Sequence, residues 1–101
     1  MKAFTESGIA KNLGKVGVQK GYCVSIWDGE DYLLKNSTDP KTIAQNVHQV
    51  DEEYLIFSKP NGENIGSIFL VYGNSPEELI ADYTDNPLIE ELIKAVSPTE
   101  F

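Results

Sequence analysis

Two stretches of this chain carry one pattern, and that pattern narrows the fold more than any other feature of the sequence. The first reads GYCVSIW, DGED, YLLKNS, TDP, KTIAQNVHQV; the second reads EEYLIFS, KPNGEN, IGSIFLVYG, NSP, EELIADYT. Each has an apolar run, a turn with Asp-Gly or Asn-Gly, a second apolar run, then a polar residue and proline opening a helix. Asp28-Gly29 and Asn61-Gly62 tolerate the positive φ that tight hairpins demand. The flanking runs are rich in Val, Ile, Tyr, Phe and Trp, as strands are. The chain therefore reads as α+β: tandem β-β-α units over 21–50 and 52–96, giving a four-stranded, mainly antiparallel sheet packed with helices. Residues 1–20 precede them as a weak helix and loop, all within a single domain.

Local signals place the helix starts. Asp39 before Pro40, and Ser75 before Pro76, are N-cap and first-turn pairs. Ser75 with Glu78 forms a capping-box pattern, and Glu77 and Glu78 suit the positive end of a helix dipole. Ile43, Val47 and Val50 recur at helical spacing; so do Leu79, Ile80 and Tyr83, and then Leu88, Ile89, Leu92, Ile93 and Val96. Pro87 predicts a break near Asn86, with Asp85 or Asn86 capping a separate final helix. Ile9, Leu13 and Val16 have helical spacing too. Gly8, Gly14 and Gly17 each cost about 1 kcal/mol relative to Ala, so this segment predicts a frayed helix from about Glu6 to Val16. In the strands, Tyr22, Val24 and Ile26 fall on one face, with Cys23, Ser25 and Trp27 on the other. Ile65 to Tyr72 is apolar on both faces for much of its length, as a central strand is.

Composition then removes function classes. The 101 residues carry a formal charge of −8, with eight lysines and no arginine. Four lysines (Lys2, Lys11, Lys15, Lys20) face one acid, Glu6, in the first twenty residues, whereas seven acids face Lys94 alone from Glu77 onward. Direct nucleic-acid binding is opposed by that charge, and a basic partner suits it. No apolar run approaches a membrane span, and the N-terminal segment lacks the apolar centre of a signal peptide, so a cytoplasmic protein is the expectation. Cys23, the one cysteine, can form no disulfide within the chain and reads as a small buried hydrophobe.

Catalytic and metal-binding constellations are not legible. His48 is the one histidine, placed near a helix end where it can meet free carbonyls. Serines show no nucleophile-elbow spacing. Asp28, Glu30 and Asp31 are too closely spaced for a calcium loop and read as solvated turn acids. Gly14-Lys15-Val16-Gly17 matches the G-x-x-G clamp of KH domains, but a strand follows where that fold needs a helix. The expectation is a non-catalytic protein without cofactor or metal. The candidate partner-binding surface is acidic: Glu77, Glu78, Asp82, Asp85, Glu90 and Glu91, projecting between apolar stripes.

The phrases Gly21-Tyr22, Val24-Ser25-Ile26-Trp27-Asp28-Gly29-Glu30, Ser37-Thr38-Asp39, Leu70-Val71-Tyr72-Gly73-Asn74 and Ile80-Ala81-Asp82-Tyr83-Thr84-Asp85-Asn86 resemble a set of small proteins encoded by tailed phages and prophages. The resemblance spans roughly residues 20–90. It implies a setting and no site residues: an accessory protein in a bacterial host cytoplasm. The chain is expected as a monomer or, through an exposed last strand or the stripe Leu88-Ile89-Leu92-Ile93, a homodimer, acting on a host or phage protein. Two functions fit these observations. One is protein–protein interaction without catalysis; the other is an acidic nucleic-acid mimic that inhibits a DNA- or RNA-binding protein.

Overall fold

The strand runs predict a sheet covered by helices on at least one face, and a computed structural model describing residues 5–96 has its helices on one face only. Its elements are α1 (Glu6–Gln19), β1 (Cys23–Trp27), β2 (Tyr32–Ser37), α2 (Pro40–Asn46), β3 (Glu52–Ser58), β4 (Asn64–Val71), a 3-10 turn (Pro76–Glu78), β5 (Ile80–Tyr83) and α3 (Pro87–Val96). The strands form one antiparallel sheet in the order β2-β1-β3-β4-β5. Both hairpin turns use the predicted glycines, Gly29 at φ 104° and Gly62 at φ 95°. Asp28 Oδ1 accepts from the amides of Glu30 and Asp31, and Asn61 Oδ1 accepts from Glu63. Those two amides hold the Asp28 carboxyl below its ordinary pKa.

All three helices pack on one face. There Val24 and Ile26 of β1, Leu55 and Phe57 of β3, and Ile68 and Leu70 of β4 meet Ile9 and Leu13 of α1, Ile43 of α2, and Ile89 and Leu92 of α3. The first β-β-α unit forms as the pattern predicts: Asp39 caps α2 by accepting from Lys41, and a bond from Thr42 Oγ1 helps hold its carboxyl below the usual range. The helix is shorter than the stripe implied. Val47 closes it in extended geometry and His48 follows at φ 59°.

Three expectations need correction. The sheet has five strands, not four, because residues 76–83 do not form the predicted helix. Ser75 makes no side-chain cap bond; one 3-10 turn forms, Leu79 is buried beneath it, and the chain then extends as β5. The reason is tertiary. Without β5, the outer edge of apolar β4 would leave its N–H and C=O groups unpaired. Residues 80–83 satisfy that edge, pairing Phe69 with Asp82 and Leu70 with Ile80, and Thr84 continues the pairing through bonds with Ser67.

The N-terminal helix is the third correction. It runs unbroken to Gln19, with Thr5 as its N-cap. Its glycines are contact points rather than weak points: a Cβ on Gly14 would stand 2.5 Å from Ile43 Cγ2, and one on Gly17 2.7 Å from Phe57 Cε2. Close approach of α1 to the sheet and to α2 offsets the lost helix propensity. The G-x-x-G element therefore lies inside a helix, not in a nucleic-acid clamp. The last helix is separate, as Pro87 predicts. Asn86 caps it through Ile89 N, and the Asn86 amide also donates to Ile65 O, fixing α3 to β4.

Candidate functional site

The sheet face away from the helices has no element over it among the described residues. Strand alternation places Trp27, Tyr54 and Phe69 there, since their neighbours Ile26, Leu55 and Ile68 fill the core. Direct cross-strand pairing then lines the rings up: Tyr32 opposite Trp27, Trp27 opposite Tyr54, Tyr54 opposite Phe69, and Phe69 opposite Asp82. Ring centroids are 6.4, 5.3 and 4.6 Å apart along this row, the last pair stacked. Trp27, Tyr54 and Phe69 are half-buried, and Tyr32 at the β2 edge is 48% exposed. Lys35 Nζ stands 4.9 Å from the Tyr32 ring centroid, a cation held over an aromatic face. Tyr54, Ser67, Phe69, Asp82, Tyr83 and Thr84 line a hollow of about 160 Å³ at the other end of the row.

Cys23 belongs to this face. It is buried, as its apolar surroundings predict, yet it pairs with Ser58 on the side opposite the helix-covered core. Ser25 is also buried, and its hydroxyl accepts from the Asn36 amide at 2.9 Å, which serves a β2 residue at φ 50°.

Charge divides between the layers. The three helices hold three acids against four lysines, whereas residues 28–35 and 51–85, which cover the first hairpin turn, most of β2, and β3 to β5 with their connections, hold eleven acids against two lysines. Only Glu53 among those eleven is buried. The six acids predicted as a surface are all exposed, and they are spread from the 3-10 turn through β5 to α3. Asp82 joins the aromatic row, Glu77 and Glu78 lie in the 3-10 turn, and Asp85 follows β5. Glu90 borders a second hollow of about 330 Å³ with Ile93, Lys94 and Tyr83, which also lines the first, while Glu91 pairs with Lys20 at 3.3 Å. Their predicted exposure is seen in each case. In the sequence each ring of the row looks like an ordinary strand former; the alternation that sets Trp27 apart from Val24 and Ile26 is the signal that points to a shared face.

His48 stands in a second polar cluster. Its Nδ1 is 2.6 Å from Ser7 Oγ, and its ring stacks on Tyr72 at 3.8 Å. Glu53 lies beneath with no solvent exposure, and its Oε2 accepts from the Tyr72 hydroxyl at 2.6 Å and from the His48 main-chain amide at 2.9 Å. Burial foremost, and next this bond to Glu53, push the Tyr72 phenol far above the ordinary tyrosine range. The carboxylate holds the histidine backbone rather than orienting its ring, unlike the third member of a catalytic triad. Ser7, in the first turn of α1, is thereby linked to the end of α2, and Glu6 accepts from Gly73 N beside it. The cluster ties three distant segments together. Among the described residues, no three His, Cys, Asp or Glu side chains converge as metal ligands, and no helix is long and apolar enough to cross a membrane.

No protein-family model matches this sequence, and comparisons with curated proteins and with solved structures also find no match.

Proposed function

We propose that this is a non-catalytic binding protein that acts by docking a basic protein partner. The observation that supports this reading is the division of charge: eleven acids against two lysines in residues 28–35 and 51–85, beside a nearly neutral helix layer. A surface of that kind attracts a cationic partner and repels nucleic acid. The Glu53 bonds to Tyr72 and to the His48 backbone support a structural part for that cluster rather than a proton relay. The resemblance to phage and prophage proteins supports a bacterial host cytoplasm as the setting and a host or phage protein as the target.

Binding to polylysine at low ionic strength, followed by anisotropy, tests the reading. Measurable affinity that weakens steeply as salt is raised is the expected result; its absence even at about 10 mM salt, where screening is weak, rejects it. The same acids favour a second reading, in which exposed carboxylates stand in for phosphates and fill the basic groove of a DNA- or RNA-binding protein. A target whose captured complex is displaced by DNA supports that version. Reversal of Glu77, Asp82, Glu90 and Glu91 to lysine without loss of inhibition removes it.

A further inference from the structure

We infer that the row Tyr32, Trp27, Tyr54 and Phe69 is the docking face, and that its occupant is an extended peptide segment rich in arginine or lysine. This inference rests on the binding-protein reading and adds the surface and the chemistry of recognition.

Three observations converge on it. The rings form a continuous row across four adjacent strands on the face that no described helix covers. Three strand-to-strand steps of about 4.8 Å make a platform about 14 Å long, which matches four or five extended residues at roughly 3.3 Å each. Ring faces are the negative regions of an aromatic quadrupole, so they attract ammonium and guanidinium groups. The chain supplies its own instance, since Lys35 Nζ lies 4.9 Å from the Tyr32 centroid.

Charge selects among occupants. Asp82 closes the row at β5, Glu52 stands on the same face two pairs beyond Tyr54, and Asp28, Glu30 and Asp31 follow Trp27 in the turn. A cationic segment lying over the rings meets Asp82 beside Phe69, while Lys35 already occupies the Tyr32 end. A second copy brings the same −8 charge to the contact, and a nucleic-acid strand brings phosphates; either would meet like charge at this rim. A neutral sugar could stack on the rings but would leave those acids without a counterpart.

Trp27 is the one tryptophan of the chain, so the proposed face carries its own fluorescent reporter. The test titrates the full-length protein with a nine-residue peptide of alternating Arg and Ser. Controls are the same peptide with citrulline for arginine, a single-stranded oligonucleotide and a soluble oligosaccharide. The expected result is a saturable change in Trp27 emission with the arginine peptide, at least tenfold weaker with citrulline. Tyr54→Leu and Phe69→Leu retain apolar bulk while removing the rings, and each is expected to weaken binding by about fivefold or more with the far-ultraviolet spectrum unchanged. Asp82→Asn is expected to weaken binding and to flatten its salt dependence.

The outcomes separate the two proposals. If the arginine peptide binds but both leucine variants bind it equally well, the docking face is wrong and the binding-protein reading stands. If neither this peptide nor polylysine binds the wild-type chain, both fall. Emission changes produced by the oligonucleotide, by the sugar, or by protein concentration alone would assign the face to a different occupant and overturn the inference.

Discussion

Tyr54 and Phe57 stand three residues apart on β3 and face opposite ways. Phe57 lies fully buried under α1, with Gly17 against its ring; Tyr54 lies half-exposed between Trp27 and Phe69 on the uncovered side. On the helix side, shape decides which residue is tolerated, because no space remains for one added carbon at Gly17. On the open side, chemistry decides: the rings are partly exposed to solvent, with Asp82 at one end of the row and Lys35 at the other. The two faces of one sheet thus hold aromatic rings for different physical reasons.

The largest test of that contrast is removal of each ring. Phe57→Ala is expected to cost about 3–5 kcal/mol in urea unfolding, the usual range for a buried phenylalanine. Phe69→Ala is expected to cost about 0.5–1.5 kcal/mol, near the value of an aromatic pair beyond its area burial. Equal losses would mean that the open face is core in some assembly, and the contrast would collapse. Gly17→Ala sharpens it next. By helix propensity alone the change should stabilise by about 1 kcal/mol. The 2.7 Å approach to Phe57 should reverse the sign and leave a net loss of about 1–3 kcal/mol, the usual cost of overpacking.

A pH experiment reaches Tyr72, the partner of the carboxylate Glu53 that is buried on the helix side. Burial and the bond to Glu53 raise the Tyr72 pKa, so the neutral phenol is favoured in the folded state. Its contribution is complete below about pH 10, the unfolded tyrosine value, and declines as pH rises beyond it. Wild-type protein should therefore lose stability between about pH 9.5 and 11 more steeply than Tyr72→Phe, as chemical denaturation at each pH will show. The smallest effects compare the two Pro-led helix starts. Asp39→Ala should lower the melting temperature, and that difference should shrink as pH falls through the lowered Asp39 pKa, because the folded state favours its ionised form. Ser75→Ala should change stability by less than about 0.5 kcal/mol, since the Ser75 side chain caps nothing.

That last pair also shows how far local reading extends. Asp39-Pro40 and Ser75-Pro76 look alike in sequence, and each carries a helical stripe after it. The first opens a helix; the second gives one 3-10 turn and then a strand. Short segments of this length have marginal helix stability by themselves, so an unpaired β4 edge outweighs their propensity. The acidic candidates were legible as exposed residues but not as a site. Their grouping depends on where β5 and α3 settle, and Glu91 is engaged with Lys20, seventy-one positions away. The aromatic row was half legible, because alternation gave the face of each ring but not which rings become neighbours.

The sequence alone determined the hairpins at Gly29 and Gly62, the capped start at Asp39, the separate last helix after Asn86, the inner and outer sides of the strands, and the acidic excess. Each of these depends on residues a few positions apart or on a plain count. Only the tertiary structure decided that residues 80–83 become a fifth strand, that glycines in α1 serve as contacts, and that four rings from four strands form one row. Those outcomes arise from strand register and close packing between distant segments, where backbone pairing and excluded volume override local preference.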